Sequence, residues 1–227
     1  MALRIVERTA PEEVDLVAAC LRGERAAERA LYRREYPRVH GLVYRLVGPT
    51  RDLDDILQET FIAVFRGLAR FRCESKLSTW IDRIAVRAVY DHFAARRRQP
   101  VPVEIVVDRS DPVAGPGERA HAREGLRRLY AALATLPVDA RIAFALYAID
   151  GRPIAEVASI TGTARVTAKL RIWRARRELH RRIAGDAVLG DYVMQRGERW
   201  SEHRGEERGE ERGEERGEQR GEQRGQP

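Results

Sequence analysis

Cysteine and histidine, the usual ligands of structural zinc, are scarce in this 227-residue chain. It has two cysteines, Cys20 and Cys73, and five histidines, and no CxxC pair occurs. Two cysteines that lie far apart in sequence indicate neither a zinc site nor a disulfide framework. No apolar run approaches the length of a membrane span, and the N-terminus has no apolar signal segment. We therefore expect a cytoplasmic protein with no metal, no cofactor and no membrane insertion.

Lysine is also scarce, because only Lys76 and Lys169 occur among 42 basic residues and the others are arginine. The net charge is +7, and from Arg196 onward the chain holds 8 Arg and 10 Glu, so residues 1–195 carry about +9. Guanidinium groups pair bidentately with phosphate oxygens. The composition therefore favours nucleic acid as a partner, with a merely soluble basic surface as the alternative.

Sustained alternation of apolar and polar residues is absent, whereas helical spacing recurs along the chain. Apolar residues follow the i, i+3, i+4, i+7 rule over 53–68 and 80–93, and again over 126–136 and 142–149. The sequence therefore predicts an all-α fold.

Composition divides the chain into two helical domains, a linker and a tail. Residues 10–98 and 119–184 are helical, and residues 99–118, with four Pro and two Gly, predict a flexible linker. The tail, 185–227, repeats RGEE or RGEQ five times. Each Gly in that repeat costs a helix about 1 kcal/mol, and like charges recur at i,i+4. We predict a disordered tail, with Arg-Gly contacts to RNA as the alternative.

Residues 150–182 have the pattern of a helix-turn-helix. Pro153 suits the first turn of a helix, and the sequence TGT at 161–163 gives a tight turn before a second helix from about Ala164. Between 165 and 182 that helix has eight basic residues and one acid. A recognition helix presents its N-terminal residues to base edges, while later basic residues hold phosphates. The segment predicts a reader of duplex DNA, with a solvated basic helix of a bundle as the alternative.

A second basic surface is predicted at the end of the first domain. Helix 80–98 carries Arg83, Arg87 and Tyr90 at i, i+4, i+7 and ends in three Arg. Aromatic, hydroxyl and basic residues mix in the preceding segment, a composition that suits single-stranded DNA. Trp80 alone is more typical of a core residue, and a basic last turn also complements the helix dipole.

An acidic cluster, Asp52, Asp54, Asp55 and Glu59, has the residue types of a catalytic site. No partnered His and no Gly-rich phosphate cradle accompanies it, so we predict that the chain has no catalytic residue and is not an enzyme. Asp52 and Asp54 suit the N-terminal end of a helix. Asp55 and Glu59, one turn apart beside an apolar stripe, predict the rim of a protein-binding face.

Four segments carry a resemblance to a known family. LYRREYPRVHGLVYRLVG, DLDDILQETFIAVFRGLARFR and ESKLSTWIDRIAVRAVYDHFAARRR, in this order, closely resemble the first conserved domain of extracytoplasmic-function (ECF) sigma factors. Residues 129–179 resemble their second domain, and the whole resemblance covers roughly residues 12–184. It implies two helical domains in a factor that binds core RNA polymerase, directs it to promoters and helps to open DNA.

The resemblance also implies three sets of site residues. Those that bind polymerase are Asp54, Asp55, Leu57, Gln58, Glu59 and Phe61. Those that recognise and melt the minus-ten element are Arg72, Lys76, Ser78, Thr79, Trp80, Arg83, Arg87, Tyr90, Arg96, Arg97 and Arg98. Those that read the minus-thirty-five element are Arg165, Thr167, Lys169, Arg171, Arg174 and Arg176. The implied partners are core RNA polymerase, promoter DNA and an anti-sigma factor.

The chain departs from the family pattern at three positions. Arg87 stands where many relatives have Asn, Val166 where a small or hydroxyl residue is usual, and Leu170 where Ser is frequent. The resemblance therefore implies no particular promoter sequence. Two competing interpretations are a DNA-binding or nucleoid-type regulator that works without polymerase, and an enzyme such as a recombinase. The first leaves the acidic-apolar helix unexplained, and the second lacks a nucleophile with an Arg cluster.

Overall fold

The computed structural model describes residues 10–98 and 116–190, and within them it has eight α-helices and no β-strand. The first half (10–98) consists of α1 (Pro11–Leu21), α2 (Arg25–Val47), α3 (Leu53–Gly67) and α4 (Leu77–Arg98). The second half (116–190) consists of α5 (Pro116–Ala134), α6 (Val138–Phe144), α7 (Ile154–Thr161) and α8 (Arg165–Ile183). A 3-10 turn (Leu68–Arg70) follows α3, and a π-helical turn (Ala145–Ile149) follows α6. The predicted all-α fold is confirmed.

Two predicted boundaries fall inside ordered structure. Helix α5 begins at Pro116, within the predicted linker, and residues 187–190 form a helical turn within the predicted tail. Leu189 of that turn is buried in the core of the second half. The rest of the predicted linker (99–115) and of the predicted tail (191–227) lies outside the described residues.

The turn between α7 and α8 is the one that the sequence predicts. Gly162 follows α7 in the left-handed conformation, with φ of 66°. The amide of Thr163 donates to the Ala158 carbonyl at 2.9 Å, and the amide of Gly162 donates to the Ser159 carbonyl at 3.4 Å. This is the Schellman arrangement, in which a glycine closes a helix end without a steric penalty. It allows α8 to begin three residues after Gly162.

Apolar faces of α2, α3 and α4 form the core of the first half. Its fully buried side chains include Leu31, Leu42, Leu46, Ile56, Leu77 and Ile81. One hydroxyl is buried among them, and it is satisfied because Thr60 Oγ1 donates to the Ile56 carbonyl at 2.7 Å. The core therefore fixes which faces of α3 and α4 remain outside.

The two halves pack against each other, and their cores are continuous. Helix α4 contacts α7, and α2 contacts the π-helical turn. Ile142, Leu146 and Val157 of the second half belong to the same buried cluster as the core of the first half. A smaller cluster holds α5, α6 and α8 together. The structure thus adds a contact surface between the two regions that were predicted to be joined by a flexible linker.

Candidate protein and nucleic-acid interfaces

An open groove runs between α2 and α3, with a volume of about 590 Å³. We call it the docking groove, and it is lined by Tyr32, Tyr36, Asp54, Leu57, Gln58, Phe61, Ile62, Phe65 and Arg66. The Phe61 ring lies 4.7 Å from the Tyr32 ring and 6.1 Å from the Tyr36 ring, measured between centroids. Burial raises the pKa of the Tyr36 hydroxyl above its ordinary value.

The six residues predicted to bind polymerase fall into a floor and a rim. Leu57 and Phe61 are 2% and 5% exposed and form part of the floor. The exposed ones are Asp54, Asp55, Gln58 and Glu59. Glu59 lines a neighbouring depression with Ile62, Ala63, Arg66, Gly67 and Arg70. The arrangement has an apolar centre and a charged edge, as protein-binding sites do.

Sequence reasoning missed about half of the groove. It left out Ile62 and Phe65, although they follow Gln58 and Phe61 at i+4 on α3, and it left out Arg66, which follows Ile62 at i+4. It also left out Tyr32 and Tyr36, which are themselves four residues apart on α2. Helical spacing contained the signal for the α3 residues, whereas the approach of α2 is a tertiary contact.

Two residues of the predicted minus-ten set contact the second half. Arg83 donates from Nε to the Ser159 carbonyl at 3.0 Å and from Nη2 to Ser159 Oγ at 2.7 Å. Tyr90 is hydrogen-bonded to Asp139, and burial together with this carboxylate raises the pKa of the Tyr90 hydroxyl. The second half therefore contacts this face of α4 at Arg83 and Tyr90, although Arg83 remains exposed.

The other members of the minus-ten set have different environments. Arg72, Lys76 and Arg87 are exposed, and Ser78, Thr79, Trp80 and Arg96 are half-buried. The Trp80 ring lies 5.1 Å from the Phe71 ring and packs on Gly67, so it contributes to packing as well as to the predicted surface. Arg96 Nη1 lies 3.4 Å from Asp52 Oδ2. Arg97 and Arg98 end α4, but their side chains lie outside the described residues.

Charged groups join the two halves beside this face. Asp82 of α4 is fully buried, pairs with Arg38 of α2, and has its Oδ2 3.3 Å from Nη2 of Arg152 in the second half. Arg152 also pairs with Asp150, at 2.6 Å, and Asp150 pairs with Arg45 of α2. The junction is therefore held by alternating charges as well as by apolar contact.

A second set of contacts closes the end of α2 against the second half. Arg141 Nη2 donates to the Val47 carbonyl at 3.0 Å, and its guanidinium carbon lies 4.4 Å from the centroid of the Phe93 ring. Burial lowers the pKa of Arg141 to about 10, which leaves it protonated at neutral pH. The Tyr130 hydroxyl donates to the Arg45 carbonyl at 3.1 Å.

The predicted minus-thirty-five set divides between two faces of α8. Arg165, Thr167, Lys169 and Arg174 are exposed. Arg171 instead donates to Asp139 Oδ2 at 2.9 Å, and the Arg176 guanidinium lies 5.7 Å from the centroid of the Tyr147 ring. Three large apolar side chains that were not in the predicted set, Val166, Leu170 and Trp173, are exposed on this helix.

Two kinds of site are absent from the part of the chain that the structure describes. Residues 10–98 and 116–190 contain no group of three or more His, Cys, Asp or Glu placed to hold a metal ion. None of the helices in the same residues combines the length and the apolar character that crossing a membrane requires.

Comparisons with known proteins agree with this geometry. Sigma-70 region 2 matches residues 31–99, and Sigma-70 region 4 matches residues 126–179. The ECF RNA polymerase sigma factor SigM of Mycobacterium tuberculosis is 33% identical over 170 residues, which cover 74% of this chain and 83% of SigM. The ECF RNA polymerase sigma-E factor of Escherichia coli is 30% identical over 177 residues, which cover 74% of this chain and 92% of that protein.

The fold is also similar to that of a solved sigma factor structure. CnrH, in complex with the cytosolic domain of CnrY, matches with a TM-score of 0.55 and 25% identity, over 75% of this chain and 96% of CnrH. Region 2 and region 4 correspond to the two halves described above. The chain therefore belongs to the ECF sigma factors, which bind core RNA polymerase, direct it to specific promoters and help to open the DNA for initiation.

Proposed function

We propose that this sigma factor divides its task among three surfaces. The docking groove holds core RNA polymerase, α4 and the segment before it bind the melted minus-ten strand, and α8 reads the minus-thirty-five duplex. Polymerase makes the phosphodiester bonds, and this chain contributes binding alone. It is not an enzyme, and it acts in the cytoplasm together with the polymerase.

The docking groove is the observation that carries this proposal. The groove is open to solvent, and aromatic and aliphatic side chains line it beside the core of the first half. Concave aromatic surfaces with polar rims are typical of the positions that dominate protein–protein affinity. A DNA-binding regulator that works without polymerase would leave this groove without a role.

A charge placed inside the groove tests the assignment. Ile62 is 41% exposed on α3, and Val14 is 40% exposed on α1, outside the groove. Ile62→Glu should weaken binding to core polymerase about tenfold or more, because a carboxylate would be desolvated at the contact. Val14→Glu should bind as the unmodified chain does. Fluorescence anisotropy of labelled full-length protein with purified core polymerase measures both.

The rim provides a second variant that leaves the floor intact. Asp55→Arg combined with Glu59→Arg reverses two exposed charges and should weaken the same association. Circular dichroism checks that each variant remains folded. Equal core affinity in the Ile62 and Val14 variants, or in the rim variant and the unmodified chain, would show that α3 does not bind polymerase.

We also propose that an anti-sigma polypeptide binds this chain. CnrH, which has a similar fold, was solved with a partner, the cytosolic domain of CnrY. By analogy, a polypeptide that covers the docking groove or α4 would keep this chain away from polymerase until it is released.

A further inference from the structure

The outward face of α8 is apolar along its middle. Residues of an α-helix are spaced by 100°, and the buried side of α8 is defined by Ala168, Ile172, Ala175 and Leu179. Opposite this side lie Val166, Leu170 and Trp173, which are 78%, 42% and 54% exposed. We call these three residues the outward stripe.

Basic and hydroxyl residues flank the outward stripe without interrupting it. Lys169 lies on one side, and Thr167 and Arg174 lie on the other. The Arg177 guanidinium lies 5.5 Å from the centroid of the Trp173 ring, at the C-terminal end of the stripe. Val166 and Leu170, the first two residues of the outward stripe, therefore expose aliphatic side chains, and polar residues lie on either side of them.

Arg171 and Arg176 do not lie on the outward face of α8. They are directed to Asp139 and to the Tyr147 ring of their own half. Hydrogen-bonding residues at the flanks can reach phosphates and base edges, but an aliphatic group in the middle of the face cannot donate or accept. Specificity at this position must therefore come from apolar contact.

The major groove offers one such apolar contact. Among the four bases only thymine carries a methyl group there, at C5, and aliphatic side chains recognise it. We infer that Val166 and Leu170 select thymine in the upstream promoter element by contacting its C5 methyl group. The inference rests on the proposed function, because it requires that α8 lies in the major groove.

The position of the two residues along α8 supports their assignment to bases. Val166 is the second residue of α8, and Leu170 lies one turn later. The N-terminal residues of a recognition helix approach base edges, while later residues approach the backbone. The two side chains are separated by about 6 Å along the helix axis, which corresponds to about two base-pair steps. Trp173 and Arg177 then fall beside the sugar-phosphate chain.

Removal of single methyl groups from DNA tests the inference directly. The probe is a duplex promoter selected from a randomised pool by holoenzyme, which is core polymerase with the full-length chain. Each thymine of the upstream element is replaced in turn by deoxyuridine, which keeps every hydrogen bond. One or two replacements should weaken holoenzyme binding about fourfold each, because burial of a methyl-sized group is lost.

Matched protein variants assign each methyl group to a side chain. Val166→Ala should abolish the penalty for deoxyuridine at one position, and Leu170→Ala should abolish it at another. Leu21→Ala is the control, since Leu21 is an exposed leucine of α1 and is 54% exposed. It should retain both penalties.

Three other results would overturn the inference in distinguishable ways. If Lys169→Ala with Arg174→Ala weakens duplex binding but no deoxyuridine carries a penalty, then α8 reads DNA without methyl contacts. If the penalties persist in both alanine variants, then Val166 and Leu170 do not contact the methyl groups. If neither the basic variants nor the aliphatic variants change duplex binding, then α8 is not the duplex reader. In that case the assignment of α8 under the proposed function fails together with the inference.

Discussion

The Tyr130 ring packs against Gly48 at the end of α2, where there is no room for a side chain. Gly48 has φ of 83° and ψ of −172°, a conformation that is almost confined to glycine. A Cβ atom at Gly48 would lie 2.6 Å from Cδ1 of Tyr130. The absence of a side chain at Gly48 therefore lets the Tyr130 ring of α5 approach the backbone at the end of α2.

We predict that Gly48→Ala destabilises the protein by about 2–3 kcal/mol, because backbone strain and steric overlap act together. The control is Gly162→Ala, whose φ is also positive, at 66°, but whose Cβ would meet nothing within 4 Å. That variant should lose about 1 kcal/mol, from backbone strain alone. Urea unfolding of both variants measures the difference. Equal losses would mean that the Tyr130 ring moves away without cost.

Helix α8 has three faces, each with its own contacts. One face is buried, a second directs Arg171 and Arg176 to groups of the same half, and the third is exposed. The high count of basic residues therefore overstates the number that face outward.

The faces of α8 predict different salt dependence for two arginines. Arg174→Ala should lower the slope of log K against log salt by about one for duplex binding by holoenzyme, because an exposed cation no longer neutralises a phosphate. Arg176→Ala should leave the slope unchanged, because its guanidinium lies over the Tyr147 ring. Filter binding over a range of salt concentrations measures both slopes. A reduced slope for Arg176→Ala would place that residue at the DNA as well.

The helices were predictable from sequence, but the orientation of several side chains was not. Apolar spacing is a local property, and it located the core positions of α3, whereas the spacing found in α4 began after Leu77, which is fully buried. Whether Arg171 points to DNA or to the protein depends on Asp139, which lies 32 positions earlier in the chain. The exposure of Val166 was also not predictable from local sequence, because a valine in a helix is ordinarily expected to be buried.

At the scale of the molecule, the contact between the halves engages part of a predicted DNA surface. Arg83 and Tyr90 contact Ser159 and Asp139, whereas Arg72, Lys76 and Arg87 remain exposed. Use of Arg83 and Tyr90 for promoter opening, as proposed above, then requires the halves to separate. Sequence reasoning could not foresee this, because Asp82, Arg141 and Arg152 look like ordinary surface charges when read one at a time.

We predict that Arg152→Ala favours separation of the halves. It removes the ion pair of Arg152 with Asp82 across the halves and so takes one cation away from a fully buried carboxylate, a loss of about 1–3 kcal/mol. The radius of gyration from small-angle X-ray scattering should increase, and it should increase further with added salt. Arg181→Ala is the control, because Arg181 pairs with Glu178 inside α8. An unchanged radius in both variants would show that the Arg152–Asp82 pair does not hold the halves together.

The last turn of α2 depends on the second half for its hydrogen bonds. The carbonyl oxygens of Arg45 and Val47 accept from Tyr130 and Arg141, respectively, and the Gly48 amide donates to the Tyr44 carbonyl at 2.8 Å. When the halves separate, water must replace the two side-chain donors, and this turn frays more readily. The rate of hydrogen exchange at the Gly48 amide should therefore report how often the two halves separate. Binding of core polymerase should increase this exchange rate.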